Sequence, residues 1–206
     1  MRVIAGTAGS LPLKTPEGLD TRPTTDRIKE TLFNMLQPLI PGAVFVDLFS
    51  GSGAIGVEAL SRGAGKAYFI DNSSKALACI QQNLTFTKTA NRAIVLKQDV
   101  CSALGGIREE KVDIVFMDPP YDRGLEREAL ALLKEMDYVS KDTLIIVEAS
   151  LETEFPYLEE YGFSMEKDKR YKTNRHIFLR RNVTGDSTGR KESVHGHEKG
   201  SLSGKL

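Results

Sequence analysis

The sequence predicts an α/β protein whose sheet is mostly parallel and covered by helices on both faces. Short apolar runs rich in β-branched residues alternate with longer helical patterns between residues 44 and 160. This alternation favours parallel strands joined by crossover helices, because both faces of such a sheet are buried. Glycine and acidic residues follow four of the runs, at the strand ends where open α/β sheets bind ligands.

The composition is that of an ordinary globular protein. The 206 residues are 40% hydrophobic and 27% charged, and Lys plus Arg equal Asp plus Glu at 28 each. This balance gives no overall charge signature for nucleic acid, so an RNA surface would have to be a local patch. No apolar run reaches the roughly 18 residues of a membrane span and no secretory signal is evident, so a cytoplasmic protein is expected. Cys79 and Cys101 lack the spacing of metal ligands, and no metal is expected.

Residues 1–40 predict a small extension that packs on the core. Short apolar pieces between glycines and prolines indicate a β-hairpin within residues 1–21. A helix follows, with Thr24 or Thr25 as its N-cap and Pro38 at its end. Its apolar stripe consists of Ile28, Leu32, Phe33, Met35 and Leu36.

The core is expected to span residues 41–181. The predicted strands lie at 44–49, 67–71, 93–96, 113–117 and 144–147, with a closing pair at 163–169 and 175–179. The predicted helices lie at 54–62, after a cap at Ser73 or Ser74, at 124–136 and at 152–160. Residues 182–206 hold many Gly and Ser and few apolar residues, so a disordered tail is expected there. Its His195 and His197 are interpreted as solvated side chains rather than metal ligands.

A glycine-rich turn follows the first core strand. Gly51 and Gly53 allow a ligand to approach the backbone closely, and Asp47 stands at the entrance of the turn. Asp71 ends the second strand and Asp99 follows the third. The G-x-G-x-x-G spacing with an acid about 20 residues later also matches a dinucleotide fingerprint, so a nicotinamide or flavin enzyme is an alternative. A negative charge at Asp47 would disfavour a pyrophosphate and favour a cationic ligand.

The tetrapeptide Asp118-Pro119-Pro120-Tyr121 follows the fourth strand. Two prolines make the loop stiff and remove two N–H donors, so the loop offers mainly hydrogen-bond acceptors. The residue before a proline is held in extended geometry, which fixes the direction of Asp118. Acceptors beside the ring of Tyr121 suit a planar base or amide that carries an exocyclic amino group.

The sequence resembles a known methyltransferase family over about residues 1–181. Residues 46–53 resemble the S-adenosylmethionine motif of class I methyltransferases, and residues 118–121 resemble their amino-methylating motif. Ser50 stands where many members carry alanine. The resemblance to the bacterial 16S rRNA guanine-N2 methyltransferases rests on residues 1–6, 22–27, 30–34 and 171–173.

This resemblance implies a Rossmann-like seven-stranded sheet with an antiparallel last strand and helices on both faces. It implies methylation of guanine 966 of 16S rRNA, as free RNA or within a 30S subunit or assembly intermediate. It also implies S-adenosylmethionine as cofactor, S-adenosylhomocysteine as product, no metal and a monomer. The expected cofactor contacts are Asp47, Phe49, Ser50, Gly51, Gly53, Asp71, Asn72, Asp99 and Val100, with Asp71 on the ribose and Asp99 near the adenine amino group. The expected catalytic residues are Asp118, Pro119, Pro120 and Tyr121. The candidate RNA contacts are Arg2, Arg22, Arg27, Arg170, Lys172 and Arg175.

Three alternatives remain beside this reading. Methylation of adenine N6 or of a glutamine amide would use the same loop chemistry. An RNA-binding module without catalysis is less favoured, because Asp118 is intact. A nicotinamide enzyme should bind NAD rather than S-adenosylmethionine.

Overall fold

The computed structural model describes residues 1–16, 25–121 and 123–182. The α-helices are α1 (Asp26–Leu36), α2 (Ala54–Ser61), α3 (Ser74–Phe86), α4 (Val100–Leu104) and α5 (Leu125–Leu133). The strands are β1 (Val44–Asp47), β2 (Lys66–Asp71), β3 (Ala93–Lys97), β4 (Ile114–Met117), β5 (Leu144–Ala149), β6 (Phe163–Arg170) and β7 (Arg175–Arg181). Short 3-10 helices occur at Gln37–Leu39 and Ala90–Arg92.

The strands form a seven-stranded sheet in the order β3-β2-β1-β4-β5-β7-β6. Strands β1 to β5 pair in parallel, whereas β7 runs antiparallel to both of its neighbours, β5 and β6. The predicted mixed sheet with an antiparallel last strand is therefore confirmed. The strand order also reverses between β1 and β4, and open α/β sheets bind ligands at such a switch point.

Side chains alternate across the sheet into two apolar layers. Phe45 and Phe69 face one layer, which is completed by side chains from α1, α2 and α3. Val46 and Ile70 face the other layer, which includes side chains from α4 and α5. This period-two pattern follows from strand geometry, and it confirms the prediction of helices on both faces.

Two helices begin at hydroxyl caps that the sequence predicts. The Thr25 hydroxyl accepts a hydrogen bond from the Ile28 amide at 3.3 Å and starts α1. The Ser73 hydroxyl accepts from the Ala76 amide at 3.4 Å and starts α3. The alternative cap Thr24 lies outside the described residues.

Within its described residues 1–16, the N-terminal extension forms one antiparallel bridge, between Arg2 and Pro12, rather than two regular strands. Its attachment to the core depends on Glu58 of α2, which is fully buried. The Glu58 carboxylate accepts hydrogen bonds from the amides of Ile4 at 2.7 Å and Ala5 at 3.1 Å. A buried carboxylate that accepts backbone hydrogen bonds fixes the path of the chain beside α2.

The predicted helix at 152–160 is wrong, because these residues form bends and turns. Pro156 lies near the middle of the segment, where a proline removes an N–H donor and disfavours helical geometry at the preceding residue. Three aromatic rings pack there instead. Tyr157 contacts Phe155 and Tyr161, with centroid separations of 6.1 and 5.3 Å.

Other predicted boundaries differ by a few residues. Strand β1 ends at Asp47 rather than at Phe49, and α5 ends at Leu133 rather than at residue 136. Strand β5 continues to Ala149, which places Glu148 inside it. The predicted tail lies outside the described residues from 183 onward. None of the α-helices in the described ranges is both long and apolar enough to cross a membrane.

Candidate active site

Three predicted acidic residues lie at the same edge of the sheet, the one formed by the carboxyl ends of its parallel strands. Asp47 pairs with Phe69 of β2 on one side and with Phe116 of β4 on the other. Asp71 and Asp118 stand two residues beyond those partners, so each lies just past Asp47 on a neighbouring strand. The parallel register thus brings together residues that are 24 and 71 positions away from Asp47 in the chain.

Hydrogen bonds fix the glycine turn after β1. The Ser50 hydroxyl donates to the Asp47 carbonyl at 2.8 Å and accepts from the Ile70 amide at 2.9 Å. The Gly51 amide donates to the Asp71 carboxylate at 2.9 Å. Gly51 has a φ of 52°, a left-handed conformation that favours glycine. The turn is thereby tied to the end of β2 before any ligand binds.

The third glycine of the turn motif has a packing role. A Cβ atom at Gly56 would lie 2.4 Å from the ring of Phe69 in β2. No side chain fits at that distance, so Gly56 allows α2 to lie close against the sheet. Gly51 differs, because a Cβ added there would meet nothing within 4 Å. The open space above Gly51 is therefore available to a ligand.

Asp47 is a buried carboxylate with an exposure of 1%. It accepts a hydrogen bond from the Gly56 amide at 3.2 Å. Burial raises the pKa of Asp47 to about 7 and the charge of Asp71 adds to the rise, while the Gly56 hydrogen bond opposes it. A group of this kind gains most from a cation bound nearby, because the cation favours its ionised form.

The Asp-Pro-Pro-Tyr loop lies directly after β4. Pro119 is buried and Pro120 is exposed, while the side chain of Tyr121 is 44% exposed. Burial raises the pKa of Asp118 well above its usual range, and the charges of Glu148 and Asp47 raise it further. Strongly shifted carboxyl groups are typical of functional sites.

A buried polar cluster that was not predicted from the sequence lies beside this loop. Glu148 of β5 is 4% exposed, and its Oε2 lies 3.0 Å from Nε2 of the fully buried His176 in β7. The side-chain amide of Asn174 donates to the other carboxylate oxygen. Sequence spacing gave no signal for this contact, because antiparallel pairing joins residues 28 positions apart.

The remaining predicted cofactor residues surround the same edge. Asn72 is exposed between β2 and α3, and Phe49 and Val100 are partly buried against the core layer of α4 and α5. The Asp99 carboxylate caps α4, where it accepts from the Ser102 amide at 3.0 Å and hydroxyl at 2.7 Å. These hydrogen bonds lower the pKa of Asp99. Contact between Asp99 and an adenine stays a prediction.

Four of the predicted RNA-binding residues are exposed. Arg27 and Lys172 lie on the surface, and Arg2 pairs with Asp26 at 3.3 Å. Arg170 is exposed and pairs with a neighbouring carboxylate at 2.9 Å. Exposed pairs of this kind are weak and can exchange for phosphate. Arg22, a further candidate, lies outside the described residues.

Arg175 disagrees with the prediction that it contacts RNA. It is 7% exposed, and its guanidinium pairs with Asp168 at 3.0 Å. The same group donates to the Thr153 carbonyl and lies 5.5 Å from the centroid of the Phe155 ring. Arg175 therefore holds the segment before β6 against β7, and little of its side chain is exposed.

Comparisons with known proteins agree with this architecture. The family model described as "Conserved hypothetical protein 95" matches residues 1–180. The chain is 37% identical over 169 residues to the Ribosomal RNA small subunit methyltransferase D of Escherichia coli K12, covering 82% of this chain and 84% of the relative. The protein of the same name from Haemophilus influenzae is 36% identical, with 82% and 88% covered.

A solved structure shares the fold as well. The Escherichia coli protein yhhF superposes with a TM-score of 0.75 at 36% identity, covering 89% of this chain and 98% of that structure. The comparison supports the Rossmann-like arrangement of class I methyltransferases. The chain belongs to the family described as "Conserved hypothetical protein 95".

Proposed function

We propose that this protein transfers a methyl group from S-adenosylmethionine to the exocyclic N2 of a guanine in 16S rRNA, at position 966. The observation that carries the proposal is the position of the Asp-Pro-Pro-Tyr loop. It places the partly buried carboxylate of Asp118, whose pKa is raised well above its usual range by burial and by neighbouring carboxylates, at the carboxyl end of β4 next to Asp47. The names of the relatives, small-subunit rRNA methyltransferases, support the same activity.

The residues of the glycine turn fit S-adenosylmethionine, which supplies a methyl group activated by a positively charged sulfur. Asp47 offers a buried carboxylate that would favour a cation bound nearby, and Gly51 leaves open space at the backbone. Each oxygen of Asp71 accepts one backbone hydrogen bond, from Gly51 and Ser73. A carboxylate oxygen can accept more than one such bond, so Asp71 can also receive the ribose hydroxyls.

Asp118 and the Pro119 carbonyl would act on the substrate amine. Each can accept one N–H of the amino group, which aligns the nitrogen lone pair with the methyl group. As the C–N bond forms, the C–S bond breaks and its electron pair stays on sulfur. Positive charge develops on nitrogen and is stabilised by these fixed acceptors, and one proton then passes to Asp118. Tyr121, with its partly exposed ring, can stack on the base after it leaves its helix.

The charges of the site explain why the cofactor should bind before the base reacts. Burial and the neighbouring carboxylates favour the protonated form of Asp118 in the ligand-free protein. A protonated Asp118 cannot receive a proton from the amine. A bound sulfonium favours ionised Asp47 and Asp118, so cofactor binding prepares the acceptor.

The RNA would meet the protein through a local basic patch that includes Arg2, Arg27, Arg170 and Lys172, together with Arg22. Phosphate contacts of this kind give salt-dependent affinity without an overall positive charge. The substrate is 16S rRNA, as free RNA or within a 30S subunit or assembly intermediate, and the enzyme acts as a cytoplasmic monomer.

Ribosomal RNA from a deletion strain tests the proposal. Primer extension across guanine 966, with nucleoside mass spectrometry, should show the loss of one N2-methylguanine, which returns when the gene is restored. Loss of an N6-methyladenine would instead support the adenine alternative. Calorimetry on the purified protein should show binding of S-adenosylmethionine and none of NAD, and the reverse result would support a nicotinamide enzyme.

A further inference from the structure

A row of polar side chains crosses three neighbouring strands beside the Asp-Pro-Pro-Tyr loop. In the parallel β4–β5 pair, Met117 lies opposite Val147. Asp118 directly follows Met117, and Glu148 directly follows Val147. In the antiparallel β5–β7 pair, Glu148 lies directly opposite His176. Residues that share a level across strands project from the same face, so the three side chains follow one another along the sheet edge.

Two side chains lie within hydrogen-bond distance of the Glu148 carboxylate. The Nε2 atom of His176 lies 3.0 Å from the Glu148 carboxylate, and its Nδ1 atom lies 3.4 Å from the Tyr171 hydroxyl. Burial, and then the charge of Glu148, raises the pKa of Tyr171 to about 12, so its hydroxyl keeps its proton and can donate to Nδ1. Nε2 then carries the other hydrogen and donates it to Glu148. Asn174 donates a further hydrogen bond to the same carboxylate.

We propose that Glu148, held by His176, is a positioning residue of the methyl transfer, and that its negative charge makes Asp118 a stronger acceptor for the proton released by the amine. This inference rests on the proposed function. The methylated nitrogen gives one proton to Asp118, which later releases it to solvent. A carboxylate binds a proton more tightly when a second negative charge lies beside it.

Two other charged residues, Asp47 and Lys169, lie near this row of side chains. Asp47 of β1 acts on Asp118 in the same direction as Glu148, but its charge faces the cationic cofactor in the proposed function. Lys169 of β6 lies opposite His176 in the register, with its Nζ 6.0 Å from the Tyr171 ring centroid. Glu148 therefore supplies the negative charge beside Asp118 that remains when the cofactor is bound.

Two substitutions at one position separate charge from packing. Glu148→Gln removes the negative charge, and Glu148→Asp keeps it in a shorter side chain. The single-turnover rate on 16S rRNA would be measured from pH 5 to 9 at saturating S-adenosylmethionine, with cofactor affinity and melting temperature measured on the same proteins. The matched control is Glu109→Gln, which removes a carboxylate bound to Lys66 at the opposite edge of the sheet.

The wild-type rate should rise with pH to a plateau as Asp118 ionises. In Glu148→Gln the rise should move to lower pH, and the plateau should fall about three- to ten-fold because Asp118 has become a weaker base. Glu148→Asp should keep the wild-type position of the rise, and Glu109→Gln should match wild type throughout. A Glu148→Gln profile that coincides with wild type, or equal losses in the Gln and Asp variants, would overturn the proposal.

Tyr171→Phe provides the test if Glu148→Gln does not fold. Without the hydroxyl, the His176 ring loses the contact at Nδ1 that fixes its orientation toward Glu148, so the Glu148 carboxylate is held less firmly beside Asp118. The pH rise should then move in the same direction by a smaller amount, and an unmoved rise would overturn the proposal. If the wild-type protein transfers no methyl group to guanine, the proposed function itself is wrong. If the wild-type protein is active but the variants leave the pH profile unchanged, only the role of Glu148 is wrong.

Discussion

The carboxylate of Asp47 accepts a hydrogen bond from the Gly56 amide at 3.2 Å, so the residue at the end of β1 caps the helix that follows the glycine turn. The carboxylate lies inside the protein, and its burial raises the pKa to about 7. Near neutral pH the group is therefore close to half protonated, and its state responds to any cation that binds at the turn.

Cofactor affinity should depend on pH for this reason. Below pH 7 a cationic ligand must displace the proton of Asp47, so affinity for S-adenosylmethionine should rise with pH, by up to about ten-fold per unit, and flatten above the pKa. Calorimetry from pH 5.5 to 8, in two buffers of different ionisation enthalpy, measures the affinity and the proton released. Asp47→Asn should bind more weakly and release fewer protons. An affinity that is flat across this range would contradict the assignment.

Stability of the ligand-free protein should show the opposite trend. The pKa of Asp47 is higher in the folded state than its usual 3.8, so its contribution to stability is present below about pH 4 and is lost as the pH rises through 7. Asp47→Asn should therefore raise the free energy of unfolding by roughly 2–4 kcal/mol at pH 8 and by much less at pH 5. Denaturant titrations at both pH values measure this difference, and an equal loss of stability at both would refute the prediction.

Tyr121 should act through its ring. Tyr121→Phe keeps the stacking face and should have a mild effect, whereas Tyr121→Ala should weaken transition-state binding of the RNA by roughly 1–3 kcal/mol. The measurement is kcat/KM on 16S rRNA, with the melting temperature as control. Equal effects of the two substitutions would show that the hydroxyl, rather than the ring, carries the function.

The basic residues should divide into RNA contacts and structural residues. Lys172→Ala should lower RNA affinity and reduce the slope of log K against log salt by roughly 0.7–0.9, with no change in melting temperature. Arg175→Ala should instead lower the melting temperature, because it removes the more buried of the two arginine partners of Asp168 together with the hydrogen bond to the Thr153 carbonyl. Filter binding at several salt concentrations and thermal unfolding, on both variants, measure the two effects. Unchanged RNA affinity in Lys172→Ala would remove that residue from the patch.

Much of the fold and of the site edge could be predicted from local sequence. Apolar runs indicate the five parallel strands, and the glycines and acids that follow them indicate the ligand edge. The helix predicted at 152–160 is wrong, because Pro156 is incompatible with an interior helical position. Asp99 could be placed after its strand, but its role as a helix cap depends on the position of Ser102.

The part that sequence could not supply depends on pairing between distant strands. Glu148 stands in an apolar run and His176 in the last strand, and neither is marked by spacing or by a motif. They meet through the antiparallel register of β5 and β7. The burial of Arg175 could not be predicted for a related reason, since its charge suggests a surface residue, whereas Asp168 and Thr153 hold it inside. Predicting which charged residues pair across a sheet requires knowledge of the register between its strands.

The single-turnover rate of Asp118→Ala on guanine N2 tests the central claim most directly. Loss of a fixed acceptor for the developing charge should lower the rate about a hundred- to a thousand-fold. S-adenosylmethionine should still bind, because Asp47, Asp71 and the glycine turn hold it in the proposed function, and the melting temperature should not fall. A variant that methylates guanine at a near-normal rate would contradict the account.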